Sequence, residues 1–123
     1  MLKQVITTAT LLLSGAAYAA DNQVLIDYML EDDASLNQQT TIENCHAVGS
    51  SLEMIQCSAQ KQIGVRGLLY VHTEKLSKAD RVKAATACQD FENKSECAAN
   101  IKVTYEKLGI GYYLTAEELT WLN

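Results

Sequence analysis

Four cysteines, Cys45, Cys57, Cys88 and Cys97, all lie beyond an apolar amino-terminal stretch, and this pattern constrains the chain more than any other feature. An even cysteine count behind an export signal reads as two disulfides in an oxidising compartment. Three pairings can be drawn. Antiparallel helices bring residues equidistant from their turn to the same height, so local pairing, Cys45–Cys57 around Ser51 and Cys88–Cys97 around Asn93, is geometrically easy, though the sequence does not fix the connectivity. No Cys-x-x-Cys step occurs, and His46 and His72 are the only histidines. The pattern therefore argues against a zinc site, thioredoxin-like exchange and covalent haem attachment, and implies no metal and no cofactor.

Residues 1–19 read as a cleaved signal peptide. Lys3 is their only charge, an apolar run extends from Val5 to Leu13, and Ala17-Tyr18-Ala19 follows. Signal peptidase accepts only small side chains at the last residue and two before it, which places the cut after Ala19. A cut after Ala20 would put Tyr18 in a small-residue slot. An uncleaved anchor would need a longer core than this one, which Thr7, Thr8 and Thr10 interrupt. Residues 20–123 are then a single soluble domain, periplasmic or secreted, whose small core benefits from covalent bracing.

The whole chain carries 10 Lys and Arg against 15 Asp and Glu, a net charge of −5. Losing Lys3 with the leader leaves 9 against 15, or −6. That balance disfavours nucleic acid and anionic lipid, and favours a basic protein partner.

Apolar spacing and cap residues predict an all-α, disulfide-stapled bundle of about four to five helices. A short opening helix spans Val24 to Leu30, and a second lies around Thr41 to Cys45. Ser51 caps a long helix whose face is Leu52, Ile55, Ala59 and Ile63, continuing through Leu68, Leu69 and Val71. Ser77 with Asp80 opens another, with Val82, Ala85, Cys88 and Phe91 facing inward. Glu92-Asn93-Lys94-Ser95 is a polar turn. Cys97, Ile101, Tyr105 and Leu108 form the next stripe, stopped by Gly109. Thr115-Ala116-Glu117-Glu118 resembles a capping box before a final helix with Leu119, Trp121 and Leu122.

The segment Cys45-His-Ala-Val-Gly-Ser-Ser-Leu-Glu53-Met54-Ile-Gln-Cys57 resembles the opening of the LprI-type lysozyme-inhibitor family. Leu76-Ser77 and Ser95-Glu96-Cys97 follow in the order of that family's later motifs, so the resemblance covers Cys45 to Cys97. Gln89 and Asn93-Lys94 stand where the family carries a Trp and an Arg-Asp pair, and Cys88 has no counterpart there. The resemblance implies a helical periplasmic domain and a lysozyme as the target.

No nucleophile-base pattern is present: the cysteines are consumed in disulfides, and there is no Gly-x-Ser-x-Gly elbow. His72 beside Glu53 or Glu74 reads as ordinary surface. The expected function is that of a non-enzymatic binding protein, an inhibitor of a lytic enzyme. The alternative is a structural or envelope-stress protein. Partner contacts are assigned to Tyr112 and Tyr113, of which only one can face inward, and to the acidic run Glu31, Asp32 and Asp33. Tyr105 and Trp121 are assigned to the core.

Overall fold

In the computed structural model, residues 23–46, 48–88 and 95–122 are described. Strand formation is clearest late in the chain. In β5 (Ala98–Leu108) the side chains of Ala99, Ile101, Val103 and Tyr105 are all buried, while Asn100, Lys102, Thr104 and Glu106 face the other way. This is the two-residue period of a pleated strand. β5 pairs antiparallel with β6 (Gly111–Trp121) through Leu108↔Gly111, leaving only Gly109 and Ile110 to turn the chain. Gly109 has φ +64° and Ile110 has no positive φ, as in a type II′ turn, whose twist suits a hairpin. A bulge between Lys102 and Val103 leaves Glu117 as the extra residue on β6.

The remaining strands are β1 (Gln39–His46), β2 (Val48–Ser51), β3 (Met54–Ser58) and β4 (Leu68–His72). The sheet order is β1-β5-β6-β4-β3-β2, antiparallel throughout except for the parallel pairing of β4 with β6. One residue separates β1 from β2, although these strands occupy opposite ends of that order. The sheet therefore closes on itself. β1 and β2 act as one bent strand that pairs with β5 through its first half and with β3 through its second. A Cys45–Cys57 disulfide, with Cα atoms 5.6 Å apart, ties β1 to β3 at the seam. Counting the bent strand once gives a five-stranded Greek-key barrel with a helix between its third and fourth strands, the connectivity of an OB-type fold.

Three short α-helices complete the described residues. α1 (residues 23–30) buries Val24 and Leu25 against the core. α2 (Ala59–Ile63) links β3 to β4, and α3 (Lys78–Thr86) links β4 to β5. Ser77 caps α3, its hydroxyl accepting the Asp80 amide at 3.2 Å. The Trp121 indole N–H donates to Asp80 at 2.9 Å, and Lys83 lies 4.1 Å over its ring, so Trp121 fastens α3 to the end of β6. The second disulfide, Cys88–Cys97, joins the chain after α3 to the start of β5. All four cysteines are buried and none is free. Among the described residues no helix is long and apolar enough to cross a membrane.

The all-α bundle is thus overturned by a closed β-sheet. The stripe Cys97, Ile101, Tyr105 advances in steps of four, and a step of four keeps one face in an α-helix and in a strand alike. Val103, buried midway between Ile101 and Tyr105, decides for the strand. The helix expected around Thr41 to Cys45 is part of β1, and the long helix from Ser51 is replaced by β3, the five-residue α2 and β4. Ser51 ends β2 instead, its hydroxyl accepting the Glu53 amide at 3.0 Å. The capping-box reading of Thr115 fails because Thr115 is buried within β6 and paired with His72. In α3 the buried side chain is Ala84, whereas Val82 is exposed. The signal peptide, Phe91 and the turn at 92–94 lie outside the described residues.

Candidate functional site

Alternation in β4 turns Leu69 and Val71 inward, which leaves Leu68, Tyr70 and His72 on the outer face. The neighbouring strand adds Ser58, Gln56 and Met54 in register with them. On the other side Tyr113 of β6 meets His72 edge-on, with centroids 4.7 Å apart and planes at 72°. The Tyr113 ring lies back over Gly111: a Cβ at that position would stand 2.7 Å from its hydroxyl oxygen. Gly111 thus leaves room for the phenol to lie along the strand. The result is an aromatic row, Tyr70, His72 and Tyr113, across the adjacent strands β4 and β6.

This row runs into a groove at one end of the barrel. Tyr28, Met29, Leu30, Leu68, Tyr70 and Tyr112 line about 260 Å³ of open space, with Glu31 at the lip. A ladder of rings supports the floor. Tyr28 meets Tyr105 edge-on and Tyr105 stacks on Tyr112, each pair with centroids 6.0 Å apart. Burial raises the Tyr28 hydroxyl above the usual tyrosine range, opposed in part by its hydrogen bond to the Tyr70 backbone. The Tyr112 hydroxyl donates to Asp33 at 2.6 Å, and Lys107 lies 3.7 Å from the same carboxylate and over the Tyr112 ring. Hydrogen bonding to Tyr112, with the charge of Asp33, holds Lys107 protonated above the usual lysine range.

The residues assigned to partner contact from the sequence separate into two groups. Tyr112 and Asp33, 79 positions apart, are brought together at the rim. Glu31, at φ 55°, lines the groove. Asp32 has a local role, its carboxylate accepting the Ala34 amide at 2.8 Å to cap the 3-10 turn Asp33–Ser35. Tyr113 points to the opposite side of β6 from Tyr112, because adjacent strand residues alternate. Both tyrosines are half-buried, one at the rim and one on the outer face.

Sequence reasoning missed Tyr28 and Tyr70, and treated His72 only as a rejected catalyst. The run Leu68-Leu69-Tyr70-Val71-His72 alternates around two buried aliphatics and carries the signal that was available. A polar cluster lies at the bulge of β6. Thr104 donates to Glu117 at 2.8 Å and Lys75 pairs with it at 3.3 Å, and these contacts, the hydroxyl first, lower the Glu117 pKa.

The helical domain implied by the lysozyme-inhibitor resemblance is not what forms between Cys45 and Cys97, where strands β2, β3 and β4 and two short helices stand instead. Compared with protein-family models, curated proteins and solved structures, the chain matches none.

Proposed function

We propose that this chain is a non-enzymatic binding protein of the periplasm or the extracellular space. On this reading the barrel presents the groove and its acidic lip to a basic protein, and a lysozyme is the first candidate. The observation that carries the reading is the meeting of an uncovered aromatic groove with the acidic run Glu31, Asp32 and Asp33 at one rim. Tyrosines on a rigid frame bury large contact areas at small entropic cost, and interface hot spots are enriched in them. A net charge of −5 steers the chain toward positive surfaces. Two buried disulfides fit an oxidising compartment.

OB-type barrels bind oligonucleotides and oligosaccharides on the face that corresponds here to β3 and β4. Nucleic acid fits poorly, since the phosphate backbone draws affinity from cationic side chains. A neutral glycan on the row of Tyr70, His72 and Tyr113 is the second reading, favoured by the ring contact that pre-orders His72 and Tyr113.

Titration calorimetry of residues 20–123 against a basic c-type lysozyme, at about 50 mM and 300 mM salt, tests the first reading. Binding that weakens with salt, accompanied by inhibition, supports it, and absence of both overturns it. Tyr70→Ala is expected to weaken binding roughly 10- to 100-fold. Tyr70 is exposed, so the melting temperature should change little. Salt-independent binding to cell-wall oligosaccharides, without lysozyme binding, would select the second reading.

A further inference from the structure

We propose that the tip of the β5–β6 hairpin, Leu108-Gly109-Ile110, is an insertion element that enters an apolar pocket bordered by basic side chains on the partner protein. This rests on the reading of the groove as a protein-binding site and adds the contact that enters the partner. Ile110 is 97% exposed and Leu108 is 60% exposed. The position after the glycine of a II′ turn accepts polar residues freely. A β-branched aliphatic there contributes nothing to the core, and with Leu108 it offers apolar area that a partner's pocket would remove from water.

The tip is held firmly. Two eleven-residue strands carry it, and Lys107 and Tyr112, immediately behind the turn, are both fixed to Asp33. Inserting a pre-ordered hairpin loses little conformational entropy. The tip also adjoins the groove, since Tyr112 lines it and Gly111 alone separates Tyr112 from Ile110. Leu30, 70% exposed at the same rim, extends the apolar surface.

Charge selects the occupant. Glu31, Asp32 and Asp33 are exposed at this end, and Lys107, the cation beside them, is already paired with Asp33. A second copy would bring two such acidic runs together, and an anionic bilayer would be repelled. A basic protein surface gains from both the charge and the apolar tip.

The test compares wild-type residues 20–123 with Ile110→Asp, Ile110→Ala and Ile110→Leu, using a basic c-type lysozyme as the probe in titration calorimetry. Ile110→Asp is expected to weaken binding by at least about 100-fold and Ile110→Ala by about 10-fold, with Ile110→Leu near wild type. Melting temperatures should be unchanged in all three. Wild-type binding that Ile110→Asp leaves intact overturns the insertion while the proposed function stands. A wild-type chain that does not bind lysozyme overturns both. A concentration-dependent dimer that Ile110→Asp abolishes would assign the tip to a second copy and overturn the proposal.

Discussion

Replacing Cys45 and Cys57 together with alanine is expected to lower the unfolding free energy by about 3 kcal/mol, the chain-entropy value for a loop of this length. The sequence separation is 12 residues. The loss arises first in the unfolded state, which gains the freedom that the cross-link removed. A native contribution adds to it, because this disulfide joins β1 to β3 where the sheet closes. Equilibrium urea denaturation of the wild type and the double variant checks the figure. The m-value should rise slightly, because the unfolded chain exposes more surface once the cross-link is gone. Unchanged stability would show that strand pairing alone holds the seam. Burial of both sulfurs adds a second expectation: reductant without denaturant should leave the wild type unlabelled by iodoacetamide.

Tyr105→Ala is expected to cost about 4 kcal/mol, the usual range for deleting a large buried aromatic ring. Tyr105 is fully buried, with Tyr28 against one side of its ring and Tyr112 stacked on it. Its hydroxyl donates toward the backbone carbonyls of Asp32, at 2.8 Å, and Asp27, at 3.2 Å. It therefore anchors the chain after α1 to the centre of β5. Tyr105→Phe keeps the ring but removes the donor to the Asp32 carbonyl, while the Asp27 carbonyl keeps the Asp32 amide at 2.8 Å, and should cost about 1–2 kcal/mol.

Alkaline pH offers an independent reading of the same contact. Burial, with the nearby Tyr112 hydroxyl and acidic groups adding, raises the Tyr105 pKa to about 12 from 10.0. The folded chain holds this proton where the unfolded chain has released it. The stabilisation is therefore complete below pH 10 and is lost as pH rises toward 12. Wild type should lose stability more steeply than Tyr105→Phe across that window, measured by urea titrations at successive pH values. Identical slopes would remove Tyr105 as the cause.

The tyrosine ladder also shows why the groove was hard to read in one dimension. Tyr28, Tyr70, Tyr105 and Tyr112 come from α1, β4, β5 and β6, and only barrel closure sets them side by side. Tyr112-Tyr113 was legible as a pair of which only one member can face inward. Which member faces the rim depends on strand register, and a slip of one residue would exchange them. The acidic run was legible as charge, but its ion pair with Lys107 required a fold that joins positions 33 and 107.

By itself the sequence determined features that depend on near neighbours. Ser77 caps α3 because its hydroxyl reaches an amide three residues on, residues 23–30 form a helix, and the cysteine pairing that forms is the local one that spacing made easy. Net acidity likewise needs no fold. Tertiary structure decided between helix and strand for most of the remainder, because residues spaced by four satisfy both periods and the energy of choosing lies in partners far along the chain. Ile101 and Val103 are strand residues because β1 and β6 pair with them on either side, and those partners lie up to 63 positions away. The same closure, set by non-local hydrogen bonds, gave the chain its groove and left Ile110 exposed at the tip beside it.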